Sequence, residues 1–271
     1  MRRLTHCGSQ RCPKRFADRD ARAISINHLH RHAATCWRAA SGGGGKEGKS
    51  LFRRPASRAS PAAAMPPFSV FPATEADAAS SIAVENAAFS GGALDGILFP
   101  GPFPDEDSGE TRPAQLAREV REDPSMRFMK VVDTESGEPI AFARWLVNDA
   151  NWEPKERAFG PGANQEACEI LFGQMAKAHK ERWIGKPHVY LKLLVTEPKR
   201  QGHGAGSLLL QALAEEVDSL GLPAYLEATQ VGKPLYEKFG FREVGMLVGN
   251  FEKWGGPREH ENYLMIREAK V

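Results

Sequence analysis

The residues best suited to chemistry lie between positions 189 and 210. An apolar run, Val189-Tyr-Leu-Lys-Leu-Leu-Val195, feeds the turn Thr-Glu-Pro-Lys-Arg-Gln-Gly-His-Gly-Ala-Gly206, and Ser207-Leu-Leu-Leu210 opens a helix. A strand that enters a helix through glycines leaves several backbone N–H groups free, and those donors, with the positive end of the helix dipole, bind phosphate. Gly202, Gly204 and Gly206 let the main chain come close to a ligand, and Lys199 and Arg200 add positive charge beside it. The plainer alternative is an ordinary strand-to-helix turn. A dinucleotide fold asks for G-x-G-x-x-G, and the sixth position is Ser207 counted from Gly202 and Leu209 counted from Gly204. Both registers fail. Only Glu227, about where a ribose-binding acid falls, favours a nicotinamide ligand. Cys168 has no histidine placed to activate it and reads as core packing.

The loop, written Gln201-x-x-Gly204-x-Gly206, resembles the Q/R-x-x-G-x-G/A signature of the GNAT acetyltransferase superfamily. Tyr225-Leu-Glu-Ala228 is similar to the fifth strand of that family. Leu235-Tyr-Glu-Lys-Phe-Gly-Phe241 is similar to its helix-to-strand signature. The resemblance implies an acetyl-CoA-dependent N-acetyltransferase with a mixed, mostly antiparallel α/β sheet flanked by helices. It implies that Arg200, Gln201, Gly202, His203, Gly204, Ala205, Gly206 and Ser207 hold the cofactor diphosphate. Backbone groups of Leu193, Leu194 and Val195 pair with the pantetheine and the carbonyl, where a bulge splays this strand from the next. Tyr236 becomes the general acid, its ordinary pKa of about 10 keeping the phenol protonated at neutral pH. Glu227 either takes the amine proton through water or bonds backbone groups. Many members carry Asn where this chain has Thr229, so one polar contact to the pantetheine arm differs. The acceptor is an amine, on a small molecule or a peptide.

These residues need a scaffold, and periodicity supplies one. A strand at 68–71 precedes a helix from Thr74 to about Phe89, whose threonine and early acids suit an N-terminus. A Gly/Pro and acidic loop runs from Gly91 to Arg112, then a helix from Pro113 to Glu122. Its acids Asp105, Glu106, Asp107 and Glu110 form a rim that attracts protonated amines, or else a solvated loop. Strands 127–133 and 139–147 flank Ser136-Gly137 and pair antiparallel. Gln165 to Trp183 is an amphipathic helix. Beyond it the order is strand 188–196, helix 204–220, strand 223–229, helix 232–239, strand 241–250 and strand 261–267.

The 271 residues, 41% hydrophobic and 26% charged, have an ordinary globular balance. No apolar stretch approaches the roughly 18 residues that cross a bilayer, so no membrane partner is expected. Charge is divided: residues 1–64 hold 14 Lys and Arg against 3 Asp and Glu, whereas residues 65–271 hold 22 against 31. Residues 1–37 read as a basic leader, 38–65 as a disordered Gly/Pro/Arg/Ser linker, and 66–271 as the catalytic domain. Gly43 to Ser50 matches G-x-x-x-x-G-K-[ST], but no strand precedes it and Pro55 follows, so it reads as linker.

In the leader, Cys7, Cys12, His28 and His32 resemble a degenerate two-Cys two-His zinc finger, with Cys36 as a substitute ligand. The 15-residue gap from Cys12 to His28 exceeds the usual 12. This opens zinc and nucleic acid as partners and gives an alternative reading, a nucleic-acid-binding protein with a degenerate acetyltransferase scaffold. The cysteine count and the lack of a signal peptide point to a cytoplasmic or nuclear protein. The Arg-rich leader leaves a mitochondrial address open.

Overall fold

The computed structural model describes residues 67–105, 107, 109–154 and 159–270. A seven-stranded sheet in the order β1-β2-β3-β4-β5-β7-β6 is flanked by helices. Its strands are β1 (Phe68–Pro72), β2 (Met126–Asp133), β3 (Pro139–Asn148), β4 (His188–Thr196), β5 (Ala224–Thr229), β6 (Arg242–Gly249) and β7 (His260–Arg267). All neighbouring pairs are antiparallel except β4 and β5.

Local sequence explains most of the elements. After a 3-10 turn at Glu75–Asp77, α1 (Ala78–Phe89) begins, and Asp77 accepts from the Thr74 amide at 2.8 Å. Thr111 caps α2 (Arg112–Glu122), accepting from the Ala114 amide, and Pro113 occupies the first turn where no donor is lost. The β2–β3 hairpin turns through Gly137 at φ +74°, with Asp133 Oδ1 accepting from the amides of Glu135 and Ser136.

Two faces of the sheet are covered differently. On one, α5 (Ala205–Leu220) buries Leu209, Leu210, Leu213 and Val217 against Val131, Ala143, Leu191, Leu226 and Met265. Each such aliphatic side chain contributes about 1.5–3 kcal/mol of burial. On the other, α1 and α2 close over Phe128, Phe142 and Val195. The segment between β3 and β4 forms α3 (Gln165–Cys168), a π-helical turn at Glu169–Gly173, and α4 (Gln174–Trp183). Its Trp183 packs on Tyr225 and Leu264, so this insertion covers β5 and β7.

The end of β7 is clasped to the end of α5. Arg267, buried, donates from Nη1 and Nη2 to both oxygens of Asp218 at 2.8 Å, and the Lys270 amide adds a third bond at 2.8 Å. These bonds, those of Arg267 first, hold the Asp218 carboxyl down at about 2. Against an unfolded value of about 3.9, the stabilisation is complete above about pH 4 and lost as pH falls toward about 2. Asp218→Asn is expected to flatten the loss of stability across that interval in urea titrations. Equal slopes for variant and wild type would remove the clasp from acid unfolding.

Candidate active site

The site is built at a fork in the sheet. β4 and β5 pair only at Val189↔Ala224 and Tyr190↔Tyr225. Beyond that point β4 stays with β3 as far as Thr196, and β5 stays with β7 as far as Thr229, so the two strands part. A bulge lies at the parting: Arg144 faces Leu193 and Trp145 faces Leu191, with Lys192 as the extra residue between them. The extra residue increases local twist and bends the strand away from its parallel neighbour. Leu193 and Val195 turn toward α1 and α2, and Leu194 toward α5.

At the open end of β4 the chain passes through a 3-10 turn, Pro198–Arg200, into α5. Gly204 is the N-cap at φ +98° and offers no capping side chain. Gly202 stands at φ +78°. Among the described residues the amides of Gly202, His203, Gly204, Ala205, Gly206 and Ser207 have no backbone acceptor, the first helical bond being Leu208 N–H to Gly204. Those donors and the helix dipole make an anion cradle. Side chains brace it from behind: Gln201 Nε2 donates to the Thr196 carbonyl at 3.1 Å, and His203 Nδ1 donates to the Gln201 carbonyl at 2.8 Å. Gly206 is small for another reason. A Cβ there would lie 3.1 Å from Leu235 Cδ2 and 3.5 Å from Leu194 Cδ2, so β4, α5 and α6 (Lys233–Lys238) converge on it.

Arg200 is also tied to the sheet. Its guanidinium donates to Asp133 Oδ2 at 2.9 Å, tying the turn to the β2–β3 hairpin. Lys199 is exposed.

Tyr236 lies on α6, its ring against Gly232 and at 6.0 Å from Phe241, edge-on. No described residue hydrogen-bonds its hydroxyl, and burial pushes its pKa up to about 12. The phenol is therefore a proton donor throughout the neutral range. Thr229 Oγ1 accepts from the Gly232 amide at 3.1 Å, so it fixes the turn into α6. Glu227 is half-buried on β5 and accepts from the Tyr190 hydroxyl through Oε2 at 2.9 Å. The loop, β4 and α6 thus meet at Gly206, and Glu227 lies on β5 two residues past its last pairing with β4.

Cys168 is buried, its thiol donating to the Leu98 carbonyl at 3.3 Å. In the acidic loop Glu106 lies outside the described residues, and Glu110 accepts from Nε and Nη2 of Arg118 at 2.8 and 3.0 Å. Cys7, Cys12, His28, His32 and Cys36 also lie outside the described residues. Among those described, no group of three His, Cys, Asp or Glu side chains is placed to hold a metal. No described helix is long and apolar enough to cross a membrane.

Sequence reasoning missed two polar pairs on this face. One is Tyr190 with Glu227. The other is Arg144, buried on β3, which donates to Glu85 of α1 at 2.7 Å. Both pairs join residues far apart in the chain: the β4–β5 register brings the first together, and the packing of α1 on β3 the second.

The model of the acetyltransferase (GNAT) family matches residues 94–241. The chain belongs to that family and is an N-acetyltransferase. Among solved structures, a histone acetyltransferase HPA2 and related acetyltransferase from Corynebacterium glutamicum is 22% identical over 75% of this chain and 97% of its own, with a TM-score of 0.49. The ribosomal-protein-S18-alanine N-acetyltransferase from Escherichia coli is 15% identical over 75% and 95%, with a TM-score of 0.47. An N-acetyltransferase from Staphylococcus aureus Mu50 is 15% identical over 75% and 99%, with a TM-score of 0.48. No curated protein matches.

Proposed function

We propose that this chain moves an acetyl group from acetyl-CoA directly to an amine, with residues 66–271 as the catalytic unit. The observation that supports the reading is the parting of β4 from β5 beside a helix N-terminus with open amides, with α6, which carries Tyr236, packed on the same turn at Gly206. Acetyl-CoA supplies a thioester activated toward amines. The amides from Gly202 to Ser207 receive its diphosphate, their lack of capping partners matching a doubly charged ligand. Backbone groups of Leu193, Leu194 and Val195, on the side where β5 has parted, pair with the pantetheine amides and polarise the acetyl carbonyl.

Glu227 takes a proton from the acceptor ammonium through water, leaving a neutral nitrogen with a lone pair. That nitrogen forms the C–N bond as the C–S bond breaks, and the second proton it then sheds passes to water. Tyr236 gives its proton to the departing sulfur, and solvent restores both groups to their starting states. Direct transfer requires no covalent enzyme intermediate, and buried Cys168 takes no part.

The test is a panel of amines offered with acetyl-CoA and read by thiol release. Release that depends on one class of amine is the expected result. A full chain that shows no acetyl-CoA binding by calorimetry overturns the reading.

A further inference from the structure

Tyr190 is the last residue of β4 to pair with β5, and Glu227 stands two residues past the last paired position of β5. The hydrogen bond between them, 2.9 Å from Tyr190 Oη to Glu227 Oε2, therefore spans the base of the fork. The Tyr190 ring is held by stacking. His179 of α4 lies against it at 4.1 Å between centroids, and Tyr225 at 5.9 Å.

His179 is fixed in turn. Its Nε2 is 2.7 Å from Nε2 of His188, whose Nδ1 faces the Lys186 carbonyl at 2.9 Å and whose Nε2 also meets Asn148 Nδ2 at 3.0 Å. A carbonyl can only accept, so Nδ1 of His188 carries a hydrogen. Burial pushes the His188 pKa down and keeps the ring neutral, which makes its Nε2 an acceptor. His179 then donates from Nε2, sharing the single lone pair of His188 Nε2 with Asn148 Nδ2. Trp183 stacks on His188 at 4.6 Å and Trp152 lies over His179 at 4.4 Å, completing a rigid aromatic platform beneath Tyr190.

We propose that Tyr190 is a positioning residue for Glu227, fixing one carboxylate oxygen and favouring the ionised form that accepts the amine proton. This rests on the reading of Glu227 as the base. A hydroxyl that donates to a carboxylate stabilises the charged state and restricts its rotamers. Tyr190 from β4 bonds Glu227, Tyr225 from β5 interacts with it, and His179 and Arg182 from α4 lie against Tyr225 in turn. On β7, Leu264 stands opposite and Asn262 on the diagonal. Tyr190 reaches the carboxylate from the far strand of the fork.

Tyr190→Phe in the full chain keeps the stacked ring and removes the oxygen. The acid limb of the kcat/KM profile for the acceptor is expected to move up by about half a pH unit or more, which is about threefold on that limb. The rate recovers at alkaline pH and acetyl-CoA affinity stays unchanged. A profile that superimposes on wild type overturns the proposal. Glu227→Gln separates the two readings: a wild-type rate in that variant removes Glu227 as the base. A lost rate there beside an unmoved Tyr190→Phe profile removes only Tyr190. Placed on the Glu227→Gln background, Tyr190→Phe is expected to add nothing, and a further loss of equal size shows that Tyr190 acts independently of Glu227.

Discussion

Tyr236→Phe is expected to lower turnover by roughly 10² to 10⁴ while leaving acetyl-CoA affinity and the fold in place. The substitution removes one oxygen and keeps the ring packed on Gly232 and Phe241. No described residue bonds the hydroxyl, so its loss costs the fold no internal hydrogen bond, and stability should change by less than about 1 kcal/mol. With the pKa pushed up to about 12, the donor form persists well above neutral pH. The alkaline limb of the wild-type profile should therefore not fall until pH approaches that value, unless another group titrates first. Where chemistry limits the rate, the loss appears in kcat and the Michaelis constants barely move. A variant that turns over at the wild-type rate from pH 6 to 9, with chemistry shown to be limiting, removes Tyr236 from the mechanism.

The second large effect belongs to Gly204. Its φ of +98° is a backbone state that a β-branched residue adopts only under strain, at a cost of about 1–3 kcal/mol. A Cβ there meets nothing within 4 Å, so crowding inside the protein is not the obstacle. Gly204→Val either strains the cap or turns the peptide over. A turned peptide re-aims the amides that open α5. Losing two charge-assisted hydrogen bonds at about 1.5–3 kcal/mol each lowers acetyl-CoA affinity by about 100-fold or more. The domain should remain folded by circular dichroism while calorimetry registers little or no binding. Wild-type affinity in this variant would show that the loop does not hold the diphosphate. Gly206 fails differently, because a side chain there collides with Leu235 and Leu194, and its substitution should cost stability as well as affinity.

The element boundaries from β1 to β7 follow closely from periodicity and from the Gly and Pro punctuation, because each of those signals is local. The helix expected as one piece from Gln165 to Trp183 is broken by a π turn at Glu169–Gly173, where the Glu169 carboxylate folds over Gly173. A π turn inserts one residue without altering composition, so nothing in the apolar spacing announces it. The loop glycines were legible as a set, but their separate reasons were not. Gly202 and Gly204 answer to backbone dihedrals, and Gly206 to a three-way contact that exists only once α6 is docked. Arg200 shows the opposite case. Its position beside the loop suggested a ligand contact, and the fold adds an ion pair to Asp133 on a distant hairpin that no local signal announces. Tyr190 and Glu227 are 37 residues apart, and the pairing of Tyr190 with Tyr225 is what places them on one face.

The place of β7 constrains the order in which this domain can assemble. It lies between β5 and β6, yet it follows both in the chain. Until β7 is in register, β6 has no hydrogen-bonding neighbour in the sheet, and the edge of β5 that carries Glu227 is open along its length. The pieces of the site that are close in sequence, β4 with the loop and α5, can form early. The fork acquires its second wall only when the last strand arrives. Long-range closure of this kind slows folding and leaves strand edges exposed in the meantime. Substitutions in β7 such as Leu264→Ala should then weigh on the yield of folded protein as much as on the stability of what does fold.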